Sequence, residues 1–109
     1  MALRETPFLE TLARGPIVFD GAMGTQLYER GYFITRSFDE ANLARPDLVN
    51  DIHRDYVAAG AQILETNTFG ANRECLSRYG AQDRLMAINQ SGVRLARAAA
   101  SACSISTRL

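Results

Sequence analysis

Apolar and polar positions alternate between helical and strand-like order along this 109-residue chain. Phe8, Leu9, Leu12 and Ala13 form a helical stripe behind Thr6-Pro7, an N-cap followed by proline at the first helical position, and Gly15-Pro16 terminates it. Ile17-Val18-Phe19 is a short apolar run suited to a buried strand, and it ends at Asp20. A short helix is expected from about Ala22 to Arg30, stopped by Gly31 as a left-handed C-cap. Residues 32–45 keep no steady period and read as a long loop, the kind that in a compact domain is functional or mobile. Pro46-Asp47 then opens a helix on which Leu48, Val49, Ile52, Tyr56 and Val57 recur at helical spacing, until Gly60 closes it. Ile63-Leu64 centres a second strand. A helix is expected over 72–79, ended by Gly80, and Leu85, Ile88, Gly92, Leu95, Ala96 and Ala99 mark a longer one through Ala100.

Two strands separated by a helical crossover imply parallel pairing in a right-handed unit. Such a pair alone leaves open edges and an uncovered face, so the pattern predicts the opening of a larger α/β fold. A third strand should follow the last helix. Residues 101–109 are serine-rich and lack a strand-like apolar run, so they read as an anomalous tail.

Composition narrows the function classes. Hydrophobic residues make up 47% of the chain, enough for one modest core, and twelve basic residues balance twelve acidic ones. No basic footprint of a nucleic-acid binder is present. No apolar run approaches the length of a membrane span, and the first residues lack a signal-peptide core. Two cysteines, Cys75 and Cys103, make no disulfide framework, and a reduced cytoplasmic setting is the simplest expectation.

The candidate chemistry sits where the strands end. Ile17-Val18-Phe19-Asp20-Gly21-Ala22-Met23-Gly24-Thr25 and Ile63-Leu64-Glu65-Thr66-Asn67-Thr68-Phe69-Gly70 share one design: an apolar run breaks into small polar residues and glycine, and a helical pattern follows. In α/β proteins the carboxyl ends of strands carry the functional groups. Asp20 either anchors a ligand or caps the following helix, and Gly21 and Gly24 permit close backbone approach. Strand alternation puts Thr66 and Thr68 on one face and Glu65 and Asn67 on the other, so not all four can line one pocket. Asn67 and Thr68 either approach a ligand or satisfy backbone groups at the rim. His53, the only histidine, reads as structural or solvent-facing and Tyr56 as core.

Several spaced motifs agree in order with a known family. Asp20-Gly21-Ala22-Met23-Gly24-Thr25, then Pro46-Asp47-Leu48-Val49 with His53, Tyr56 and Ala59-Gly60-Ala61, then Thr66 through Asn72, resemble the homocysteine S-methyltransferases. Ile88-Asn89 and Leu95-Ala96-Arg97 continue the match, which covers residues 8–100. The likeness is to the amino-terminal homocysteine-binding module of cobalamin-dependent and reductase-linked members. The resemblance implies a (β/α)8 TIM barrel, which typically needs about 250 residues, so this chain would span its first two βα units. It implies transfer of a methyl group to homocysteine to form methionine, with methylcobalamin or folate as the methyl source in relatives. It also implies zinc held by three cysteine thiolates. Neither Cys75 nor Cys103 matches a ligand position, so no metal-ligating residue is expected here, and none is assigned a catalytic role. By resemblance Asp20 and Gly21 anchor the amino acid, and Thr66 and Asn67 shape the pocket. The rival expectations are a truncated, inactive product, or one half of a split barrel whose partner is the missing remainder.

Overall fold

The computed structural model describes residues 7–33 and 35–102, so Thr6 and Cys103, and with it most of the tail, lie outside the described residues. Among the described residues six α-helices carry the fold: α1 (Pro7–Ala13), α2 (Gly24–Glu29), α3 (Ala41–Ala44), α4 (Pro46–Ala58), α5 (Arg73–Ser77) and α6 (Leu85–Ala102), with a 3-10 turn at Gln82–Arg84.

The sequence signals act as expected at the helix ends. Pro46 occupies the first turn of α4 with Asp47 beside it. Gly31 and Gly60 have φ of 96° and 112°, and each closes its helix in the same way. The Tyr32 N–H donates to Leu27 O and the Gly31 N–H to Tyr28 O, while the Ala61 N–H donates to Tyr56 O and the Gly60 N–H to Val57 O. These are paired 6→1 and 5→2 bonds that only a left-handed residue permits. The side chain of Asn72 accepts from the Cys75 N–H at 2.9 Å and starts α5.

The two expected strands are corrected to a single parallel bridge, Phe19 to Ile63, with no longer strand among the described residues. The pairing direction is the expected one. The Asp20 N–H donates to Ile63 O at 3.0 Å, and the Gln62 and Ile63 N–H groups reach Val18 O at 2.7 and 3.3 Å. The physical reason for the short ladder is visible at both segments. Just past the second, the Thr68 N–H donates to Thr66 O at 2.9 Å and turns the chain away. On the first, neighbouring residues Val18 and Phe19 point to opposite faces yet are 55% and 43% exposed, so neither face is fully covered.

Three clusters form the core. Leu27, Tyr32, Ala41, Leu48, Val49 and Ile52 join α2, the 32–45 segment and α4. Ala61, Leu64, Ala99 and Ala100 seat the second extended segment on α6. Ala71, Leu76, Ala81 and Ile88 hold α5 and its turn against α6. The 32–45 segment, expected as a loop, contains α3 and buries Tyr32, Ser37, Asp39, Glu40 and Asn42. No helix among the described residues is long and apolar enough to cross a membrane.

Candidate functional site

The carboxyl ends of the two bridged segments stand side by side. The Glu65 N–H donates to Asp20 Oδ2 at 3.0 Å, so the first segment's terminal carboxylate rests on the backbone of the second. Asp20 Oδ1 is buried and has no hydrogen-bond partner among the described residues. Burial raises the Asp20 pKa above the ordinary carboxylate value, the Glu65 backbone N–H pulls it partly back, and the neighbouring Glu65 carboxylate pushes it up again. A carboxylate with one oxygen satisfied and the other buried without a partner is suited to a cation that brings its own N–H donors. Helix capping does not account for it, since α2 begins at Gly24 and its N-cap residue, Met23, makes no side-chain cap.

Gly21 follows directly. A Cβ there would lie 3.0 Å from the Tyr56 hydroxyl oxygen and 3.2 Å from its Cε1, so any side chain would make the tyrosine or the loop give by a few tenths of an ångström. The same hydroxyl donates to Ala22 O at 2.6 Å. Gly24 is pressed likewise against the Phe38 ring, 3.1 Å from where a Cβ would sit.

The second loop is bonded inward. Both amide hydrogens of Asn67 are used, one donated to Phe38 O at 2.9 Å and one to Asn42 Oδ1 at 3.0 Å. Asn42 returns the contact, donating to Asn67 O at 2.8 Å and to Ile88 O at 3.1 Å. The hydroxyls of Thr66 and Thr68 pair at 2.6 Å across the turn made by the Thr68 N–H to Thr66 O bond, and Glu65, which alternation would put on the other face, lines the same groove as both. The Gly70 N–H donates to Asp39 Oδ1 at 3.2 Å, and burial raises the pKa of that carboxyl. Gly92, an odd residue for the middle of a helix, is explained here. A Cβ would stand 2.8 Å from Thr68 Cγ2 and 2.9 Å from Asn42 Nδ2, so α6 reaches this loop only without a side chain.

Of the four sequence-predicted residues, Thr66 and Asn67 line two different clefts among the described residues, and Asp20 and Gly21 line neither of these. Thr66 lines a groove of about 400 Å³ with Leu64, Glu65, Val93 and Arg97. Asn67 lines a larger cleft of about 840 Å³, with Met23, Thr25, Tyr28, Phe38 and Arg78 among its walls. Phe69, 103% exposed, stands at the rim of both. Sequence reasoning missed Asn42, Asp39 and the contact role of Tyr56. Their partners lie 25 to 34 positions away, beyond any local spacing rule. His53 is wholly buried in α4 and both ring nitrogens lack partners among the described residues.

The zinc that the resemblance implies does not fit this chain's donors. It has two cysteines, one of them outside the described residues, and no three His, Cys, Asp or Glu side chains among the described residues could hold a metal ion together. What the geometry defines is the end of an extended segment where one carboxylate oxygen is buried without a partner among the described residues.

The family model for homocysteine S-methyltransferase matches residues 17–108, and the chain belongs to that family. It is 41% identical over 99 residues to the methionine synthase of Mycobacterium leprae and 40% identical over 101 residues to that of Mycobacterium tuberculosis. Those alignments cover 85% and 87% of this chain, which spans 8% of each relative's length. Among solved structures, the metallated form of the Escherichia coli homocysteine methyltransferase MmuM superposes with a TM-score of 0.75 at 31% identity, covering 89% of this chain and 35% of that one.

Proposed function

We propose that this chain supplies the amino-acid-anchoring end of a homocysteine site, as the first two βα units of a (β/α)8 barrel that methylates homocysteine to methionine. The observation that carries the reading is the buried, unpartnered Oδ1 of Asp20 at the end of the first extended segment. The α-ammonium of homocysteine would donate to that oxygen while the Glu65 N–H keeps the other in place, and Gly21 leaves room for the backbone to approach. Thr66 and Asn67 shape the pocket wall by fixing the neighbouring loop. A metal supplied by other parts of a complete barrel would lower the pKa of the homocysteine thiol. This chain's own part is to hold the amino acid still for in-line attack of sulfur on a methyl donor such as methylcobalamin or a methylfolate. The setting is cytoplasmic.

One feature of the first segment supports the barrel reading. Val18 and Phe19 are both about half exposed, as expected of a strand whose neighbours belong to further barrel units, on this chain or on a partner.

Two-dimensional amide NMR with homocysteine at millimolar concentration tests the proposal, because it registers weak binding. Shifts are expected at Asp20, Gly21 and Glu65, and Asp20→Asn should weaken binding at least about tenfold, the size of a lost charged contact. Shifts confined elsewhere, or an unchanged affinity in Asp20→Asn, overturn it.

A further inference from the structure

Nothing in the sequence pattern separates Tyr56 from the apolar stripe of α4, yet its contacts set it apart. The ring packs against two clusters at once, that of Leu27 and Ile52 and that of Ala61 and Leu64. Clamped from both sides, it has little freedom to turn. Its hydroxyl then projects past the core to donate to Ala22 O at 2.6 Å, with the Gly21 backbone against the ring edge. The Asp20 N–H is bonded to Ile63 O and its carboxylate to the Glu65 N–H. The chain is thus held on both sides of the free Asp20 oxygen, by the second segment before it and by Tyr56 after it.

We infer that Tyr56 is a positioning residue for the amino-acid site: from a helix that touches no ligand, it fixes the Asp20–Ala22 backbone so that one carboxylate oxygen faces the substrate ammonium. This rests on the homocysteine reading for its ligand, but the mechanical link from Tyr56 to Asp20 stands on the contacts alone. Gly21 belongs to the same device. A methyl group there would meet the hydroxyl at 3.0 Å, so the tyrosine and the loop would have to part by a few tenths of an ångström.

Tyr56→Phe removes the hydroxyl and keeps the ring, so the fold is expected to melt close to wild type. Homocysteine binding by NMR titration should weaken about fivefold, the size of one lost hydrogen bond, and Gly21→Ala should weaken it similarly. A second readout needs no ligand. The Asp20 carboxyl, followed by its 13C shift against pH, should titrate closer to the ordinary carboxylate value in Tyr56→Phe, because a looser loop admits water. If Asp20→Asn abolishes binding while Tyr56→Phe changes neither affinity nor the Asp20 titration, the positioning role is overturned and the homocysteine reading survives. If Asp20→Asn leaves binding untouched, the homocysteine reading falls, and the Asp20 titration alone decides: a shift in Tyr56→Phe upholds the mechanical link, and no shift ends it.

Discussion

The loops after the two extended segments are nearly twins in sequence and opposites in structure. Asp20 to Gly24 is held by a few contacts that come from outside it, and it keeps one buried carboxylate oxygen without a partner. Thr66 to Gly70 gives its hydroxyl pair to itself, both Asn67 amide hydrogens to the fold, and its last N–H to Asp39. Small polar residues at a strand end therefore mark two different things. What distinguishes them is how much hydrogen-bonding capacity is left after the protein has satisfied its own backbone. The first loop leaves one buried acceptor unused among the described residues, the acceptor on which the proposed ligand contact rests. The second loop has become the frame that the first one leans on.

The sharpest way to break this comparison is to attack the frame. Asn42→Leu would strand the Asn67 amide and its carbonyl in a buried setting, each costing roughly 1–3 kcal/mol, so a loss of about 3 kcal/mol is expected. Against the roughly 5–15 kcal/mol of an ordinary domain that is a large fraction. Urea unfolding followed by circular dichroism should show a midpoint well below that of wild type. A variant as stable as wild type would mean that the amide pair is decoration and that the two loops are alike after all.

Acid tests the helix beneath the first loop. Burial depresses the His53 pKa to about 4 from an ordinary 6.5, so the folded state binds fewer protons there than the unfolded chain does. Stability from this group is complete above pH 6.5 and is lost as pH falls toward 4, at most about 3 kcal/mol. The raised carboxyls of Asp20 and Asp39 work in the other direction, favouring the fold as they protonate. The net expectation is a decline as pH falls from 6.5 toward 4, partly offset by these two carboxyls. His53→Leu should remove the decline, and a persisting slope in that variant would assign it to other groups.

Much of this architecture was legible in the sequence because its signals are local. Pro46-Asp47 starting α4, Gly31 and Gly60 ending their helices, and the apolar stripe of α6 each need only a few neighbouring residues. The bridge direction followed from the crossover. The 32–45 segment was opaque for the opposite reason. Its order comes from Asp39 reaching Gly70, Asn42 reaching Asn67 and Glu40 pairing with Arg84 at 3.1 Å, contacts 25 to 44 positions apart. Gly92 looked like a weakness in a helix and proved to be the place where that helix meets the frame. Strand length was overread because periodicity reports what a segment would do beside neighbours, and the first segment here has one partner segment.

Asp20→Asn sharpens the comparison from the other side. Burial already disfavours the ionised carboxyl in the fold, and asparagine can still accept from the Glu65 N–H. Stability should therefore change by no more than about 0.5 kcal/mol while homocysteine binding collapses. Frame residues should show the reverse pattern. Thermal melts run beside the NMR titrations separate the two, and a strongly destabilised Asp20→Asn would move Asp20 from site to frame.

The smallest expected effect falls on Thr66, which stands between the two roles. Its hydroxyl pairs with that of Thr68 at 2.6 Å, and its side chain also lines the groove of about 400 Å³ beside Val93 and Arg97. Thr66→Val keeps the shape and removes the hydroxyl, leaving Thr68 to find water, which its half-buried position allows. If Thr66 serves only the frame, stability drops by about 1 kcal/mol or less and homocysteine affinity is unchanged. If Thr66 shapes the pocket directly, affinity falls more than that loss can explain, and Thr68→Val, which breaks the same hydroxyl pair from its other end, leaves affinity alone. Equal effects of the two variants on both readouts would show that the pair acts as one unit and that the frame extends to the edge of the site.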